Sequence, residues 1–231
     1  MSGPTYDDVV KLLGHSAYNP AIVPQLEAYV KAQASSKAPY YFNANRTLVK
    51  LYQFFPHLSA GDEIISLVLF LALVEFPTTD FCALACLVPE RVQSREPCVT
   101  LVRCAELLEA CQFAEFWQVF GQIQTEAAAS VSMKQAAASP ETQSKLRKSI
   151  LSLLAHTYRT APLAMVLAAL NLSSLDDDDA MVASVSGDTV TFVASPDNTK
   201  RSRVFKEGVN YDAISSMMLK TTTSAPVVAR E

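Results

Sequence analysis

Five cysteines and three histidines are the residues of this 231-residue chain with the most versatile chemistry. Cys82 and Cys86 stand four apart, a spacing that puts both thiols on one face of a helix and could in principle hold a metal ion. A zinc site needs a second closely spaced Cys or His pair. Cys98, Cys104 and Cys111 are too far apart to provide one, and His15, His57 and His156 stand singly. The cysteines therefore read as small hydrophobes on core-facing helices, with no metal site. Catalysis has no better footing. The chain contains neither a Gly-x-Ser-x-Gly elbow nor a His-Glu-x-x-His pair. No two of its six glycines fall in one six-residue window, so no phosphate-binding loop can be drawn. The run Asp176–Asp179 lacks the spaced ligands and glycine of a calcium loop. No catalytic residue, cofactor or small-molecule substrate is expected. Two groups remain as contact sites. Lys200, Arg201, Arg203 and Lys206 form a small basic patch suited to RNA or an acidic partner, and Tyr211, Ile214 and Met218 line one face of a terminal helix that could dock on a partner.

The elements that carry these residues follow from composition and periodicity. Half the chain is hydrophobic and 18% is charged, so it must fold to stay in solution. A net charge of −4 excludes a generic phosphate-binding domain. Thr5 and Asp8 predict a capping box ahead of Val9, Leu12 and Leu13, with Gly14 as the stop. Helical spacing recurs at Leu26, Tyr29 and Val30, and again at Leu48, Leu51, Tyr52 and Phe55, where Pro56 ends the helix. Asp62 opens a helix apolar on every face, which belongs at the centre of an assembly. Further helices are expected around Phe81 and Leu84, around Leu101, Ala105 and Leu108, and over the stripe Phe113, Phe116, Trp117 and Phe120. Short helices in antiparallel succession predict an irregular HEAT-like helical repeat domain over 1–124. The Ala/Ser-rich stretch 125–139 reads as a linker or exposed helix.

The last third has another rhythm. Ser139 and Pro140 start a helix through Leu146, Ile150 and Leu154, and a second carries Leu163, Val166, Leu167 and Leu170. A third is expected from Ser174 to Val185. A strand over Thr189–Val193, a turn at Pro196–Asn198 and a return strand over Arg203–Lys206 follow. Three helices and a hairpin predict a winged-helix domain over 140–208, then a C-terminal helix over 209–220 and a flexible tail over 221–231. The helix that would enter a major groove opens with four aspartates, which repel phosphate, so groove reading is disfavoured. The fold class is mainly α, a helical repeat domain followed by a winged helix.

The N-terminal residues lack the basic and apolar regions of a signal peptide, and the apolar stretch Ile64–Phe76 is too short to cross a bilayer. An odd number of cysteines fits reduced thiols. A cytoplasmic location without membrane contact is expected. On that reading the glycosylation sequons at Asn45 and Asn171 are idle.

Several segments taken together resemble the subunit k family of eukaryotic translation initiation factor 3. The likeness runs through Tyr18-Asn19-Pro20, Leu26-Glu27-Ala28-Tyr29-Val30, Gln33-Ala34, Asn45, and Leu48 to Phe54 with Pro56. It continues in Pro77, Thr79-Asp80-Phe81, Cys86, Glu96-Pro97, Leu107-Leu108-Glu109, Cys111, Phe113 and Phe116-Trp117-Gln118. It ends in Asp212, Ser215-Ser216 and Met218. The stretch 125–139 and the Asp-rich segment with its wing depart from the pattern. The resemblance implies a PCI-type arrangement, no catalysis, and a scaffold subunit held to the other subunits of the factor, subunit l above all. Through that complex it implies association with the small ribosomal subunit. Two alternatives stand beside it: a small PCI-like subunit of a proteasome-lid or signalosome-type complex, and an RNA-binding module using the basic wing.

Overall fold

The computed structural model describes residues 4–58, 62–175, 180–199 and 211–223, in two compact units, Met1–Asn198 and Thr199–Glu231. The first unit opens with α1 (Tyr6–Ser16), capped as its sequence dictates. The Asp8 amide donates to Thr5 Oγ1 at 3.4 Å and the Thr5 amide to Asp8 Oδ2 at 3.2 Å. Hydrogen bonds from Thr5 hold the Asp8 carboxyl below its ordinary pKa. The helix runs two residues past Gly14, because a lone glycine weakens a helix without ending it.

Next come α2 (Val23–Ala34) and α3 (Phe42–Phe54), joined across their interface by a buried pair of amides. Gln33 Nε2 donates to Asn45 Oδ1 at 2.9 Å, Asn45 Nδ2 returns a bond to Gln33 Oε1 at 3.3 Å, and the Tyr41 amide donates to that same Oε1 at 3.2 Å. Two tyrosine hydroxyls extend the network, Tyr52 to Glu27 and Tyr29 to the Pro39 carbonyl at 2.9 Å. Burying these amides unpaired would cost about 1–3 kcal/mol each, so the pair fixes the register of the two helices. Asn45 lies within a sequon, yet it is wholly buried and so is no glycan acceptor.

The apolar helix expected from Asp62 is α4 (Asp62–Val74), in which every residue from Ile64 to Val74 is buried. It packs against α2, α3, α5 (Asp80–Ala85), α7 (Cys98–Glu109), α9 (Val131–Ala138) and α10 (Pro140–Thr157). With neighbours on all sides it has no polar face to spare. A short turn, α6 (Glu90–Gln93), leads into α7, and α7 packs on α8 (Phe113–Thr125). The aromatic stripe of α8 is core: Phe116, Trp117 and Phe120 interlock at centroid distances of 5.1–5.9 Å, and Phe120 stacks on Phe70 of α4 at 6.2 Å.

Two expectations need correction. The stretch 125–139 is neither linker nor exposed helix. It holds α9, whose Met133, Ala136 and Ala137 are buried. Alanines bring the backbone close to its neighbours, and one methionine fills the remaining gap. The helix expected over Ser174–Val185 gives way to a strand. After α10 the chain forms β1 (Thr160–Pro162), α11 (Leu163–Leu170), β2 (Val182–Ser186) and β3 (Thr189–Phe192), an antiparallel sheet in the order β1-β3-β2. Gly187, at φ +56°, begins a two-residue turn with Asp188, which sets the hairpin one strand earlier than Pro196–Asn198 would have placed it. The described order is helix, strand, helix and hairpin, with no third helix among the described residues between α11 and β2. Asp176–Asp179 and the expected return strand over Arg203–Lys206 lie outside the described residues.

Three helices stop in the same way without glycine. After α2, α7 and α11 the chain turns left-handed at Ser36, Cys111 and Asn171, with φ of 53°, 57° and 52°. In each case the next amide reaches back across the turn: Lys37 to Ala32, Gln112 to Leu107 and Leu172 to Leu167, at 2.9, 2.8 and 3.1 Å. This is the Schellman closure. At α11 it is completed from outside. The Leu167 and Ala168 carbonyls accept from Leu172 and Asn171, Ala169 from Trp117 Nε1 at 2.8 Å, and Leu170 from Arg147 Nε at 3.0 Å. All four terminal carbonyls of the helix are thus satisfied, and the Arg147 guanidinium lies 5.2 Å from the Trp117 ring.

The second unit contains α12 (Tyr211–Thr223), which ends three residues beyond the expected position 220.

Candidate protein-interaction site

The thiols divide cleanly. Cys98 and Cys104 on α7 are buried, and desolvation first of all pushes them up to about 11 and about 12. Cys82, Cys86 and Cys111 are exposed, which corrects the expectation that all five are core hydrophobes; α5 presents its Cys82–Cys86 face outward because Phe81 and Leu84 take the inner one. The neighbouring Cys86 thiol is the main cause that raises Cys82, the opposite of an activated nucleophile. Among the described residues, no three His, Cys, Asp or Glu side chains come together in a metal-binding group. His156 Nε2 lies 3.2 Å from Asp197 Oδ2. Among the described residues no helix is long and apolar enough to cross a membrane.

Exposed apolar surface is concentrated on α12. Tyr211, Ile214 and Met218 are 82%, 49% and 66% exposed. Met217 and Leu219, passed over in the sequence, are exposed beside them. At 3.6 residues per turn these five side chains cover an arc of about 200°. That is too broad to read as a single i, i+3, i+7 stripe, which is why the periodicity showed only part of it. The basic residues Lys200, Arg201, Arg203 and Lys206 lie outside the described residues.

Two further surfaces carried no periodic signal. Tyr18, beside the turn Pro20–Ile22, and Phe54, the last residue of α3, are 71% and 62% exposed and meet edge to face at 6.5 Å. An apolar groove of about 320 Å³ opens where α8, α10 and α11 converge, lined by Phe113, Leu153, Leu154, Tyr158, Met165 and Ala169. Each is assembled from residues distant in sequence.

These features define a mainly helical protein whose exposed chemistry is spread over apolar and charged surfaces. The sequence pattern of the CSN8/PSMD8/EIF3K family matches residues 59–202, and the chain belongs to that family. Among curated proteins it is similar to eukaryotic translation initiation factor 3 subunit K of Homo sapiens and of Mus musculus. Each is 29% identical over 220 residues, covering 91% of this chain and 94% of the relative. The protein of the same name from Dictyostelium discoideum is 32% identical over 173 residues, 72% of this chain and 63% of that relative's length.

Proposed function

We propose that the chain is a non-catalytic scaffold subunit of a translation initiation factor 3 complex in the cytoplasm. The observation that carries this reading is the similarity to the human and mouse subunit K proteins, which extends over 94% of their length. The proposed partners are the other subunits of the factor, subunit l above all, with the small ribosomal subunit reached through the complex. The proposed contact bodies are a helical domain over 1–124 and a winged-helix domain over 140–208. The proposed docking element is α12, through Tyr211, Ile214 and Met218; their exposure supports it, since each apolar side chain of this size gains about 1.5–3 kcal/mol on full burial. Any direct RNA contact is assigned to Lys200, Arg201, Arg203 and Lys206.

The test is affinity capture of the tagged full chain from cell extract, with RNase treatment and mass spectrometry. Recovery of initiation factor 3 subunits after RNase is the expected result, together with loss of subunit l from the Tyr211→Ala/Ile214→Ala/Met218→Ala variant. Recovery of proteasome-lid or signalosome subunits would transfer the chain to a sister complex. Partners that vanish with RNase would make the basic wing the working surface.

A further inference from the structure

A pair of thiols on α5 has no part in the proposed scaffold role. The helix is six residues long, with Phe81 and Leu84 buried, and its other face presents Cys82 and, at the C-cap, Cys86. Four positions apart, these side chains lie one turn above the other. They interact: the Cys82 thiol donates a hydrogen bond to the Cys86 sulfur, and Cys86, ahead of Glu109, is the first cause that raises Cys82 above its ordinary pKa. Both are exposed, so a small oxidant reaches them from solvent. Among the described residues no third His, Cys, Asp or Glu joins them to make a metal-binding group. The chemistry left to the pair is its own two-electron couple.

We propose that Cys82 and Cys86 close to a reversible disulfide in response to hydroperoxides. In the first step the Cys86 sulfur attacks the peroxide: an S–O bond forms, the O–O bond breaks, and two electrons pass from sulfur to the departing oxygen, which leaves as water or alcohol. In the second, the Cys82 sulfur attacks the sulfenic acid on Cys86. The S–S bond forms, the S–O bond breaks, and the hydroxide leaves as water with the Cys82 proton. Cys82 is the later thiol to react because its neighbour keeps it protonated.

The backbone at this end of α5 can accommodate closure. Cβ atoms one helical turn apart stand about 5–6 Å from each other, and a disulfide requires about 3.5–4.5 Å. Cys86 already lies beyond the last turn of the helix, its amide donating to the Cys82 carbonyl at 3.1 Å. The residues around it are held from other elements. Gln93 Nε2 donates to the Ala85 and Val88 carbonyls at 2.8 and 2.7 Å, and Gln53 Nε2 to the Leu87 carbonyl. The approach is therefore confined to Cys86, and Phe81 and Leu84 stay seated.

The experiment treats the full chain with hydrogen peroxide in the presence of dimedone, then blocks free thiols with N-ethylmaleimide and maps tryptic peptides by mass spectrometry. Peptide 51–91 holds Cys82 and Cys86 and no other cysteine, and Cys111 falls in peptide 104–134. Peptide 51–91 should emerge unalkylated and lighter by two hydrogens, and dithiothreitol should restore both thiols. In Cys82→Ser, folded by circular dichroism, Cys86 should carry the dimedone adduct at least about tenfold more than in the parent, where the neighbouring thiol intercepts the sulfenic acid. Equal adduct on Cys86 in both proteins would overturn the proposal. So would a bridge from either thiol to Cys111 or to a second chain, or a peptide 51–91 still fully alkylated at a peroxide dose that labels Cys111.

Discussion

Replacing Trp117 by Phe tests the account of how α11 is held. The indole N–H is the donor to the Ala169 carbonyl at 2.8 Å, in a buried setting, and Phe removes it while keeping an aromatic ring in the core. An acceptor left unpaired costs about 1–3 kcal/mol, and the lost ring volume adds about 1 kcal/mol. The expected destabilisation is therefore about 2–4 kcal/mol. At about 2–3 kcal/mol per molar urea, the unfolding midpoint should drop by about 1 M. Trp117 is the single tryptophan, so the transition must be followed by far-ultraviolet circular dichroism. A cycle with Arg147→Met should show coupling of about 0.5–2 kcal/mol, because the guanidinium lies on the ring that Phe shortens. The amides of Asn171 and Leu172, which close the helix end, should exchange faster in both single variants. A midpoint within about 0.2 M of the parent, or strict additivity in the cycle, would refute the idea that α8 and α10 jointly cap α11.

A thiol reagent should modify three of the five cysteines in the native chain, Cys82, Cys86 and Cys111, and all five in denaturant; reaction of a fourth before unfolding would contradict the burial of α7. Because Cys98 and Cys104 keep their protons to about 11 and about 12 when folded and lose them near 9.0 when unfolded, stability should fall as pH rises above 9.0. The slope is up to about 1.4 kcal/mol per pH unit per thiol, and thermal melts should show it flattened in Cys98→Ala/Cys104→Ala. Asn45→Ala should cost about 2–3 kcal/mol by stranding the Gln33 amide, while the double change to leucine at both positions should recover most of that, as chemical denaturation would report. Cys111→Gly should stabilise by about 0.5 kcal/mol, and Asn171→Gly by less, since asparagine already tolerates the left-handed turn; equal effects in urea melts would argue against strain at Cys111.

The helical part was legible because its signals are local. The Thr5–Asp8 box, the uniformly apolar run after Asp62 and the α8 aromatic stripe each announce themselves within one or two turns. What stayed hidden depends on residues far apart. No glycine, the usual marker of a left-handed helix end, stands at Ser36 or Cys111, and the stop there is made by backbone bonds. The three-residue strand β1, ending in Pro162, is too short for alternation to show, and exists because β3 pairs with it. A helix was expected where β2 lies because the short run Val182–Ser186 gives little periodicity, and the hairpin turns at Gly187–Asp188, ahead of Pro196–Asn198. Among the candidate contacts, Tyr211, Ile214 and Met218 could be picked out from spacing alone. The Tyr18–Phe54 pair and the groove between α8, α10 and α11 could not, because each arises where separate elements meet.

The capping of α11 by Trp117 and Arg147 also bears on the sequence of events at synthesis. Both donors precede the helix they complete, so a nascent chain emerging from its amino end presents α8 and α10 before residues 163–170 appear. The later segment arrives at a surface already prepared for its carbonyls and can be ordered as it is made. A circular permutant that moved residues 140–198 to the front would have the same native contacts available in reverse order. Its α11 would leave the ribosome with Arg147 at hand and the Ala169 carbonyl still waiting for its tryptophan.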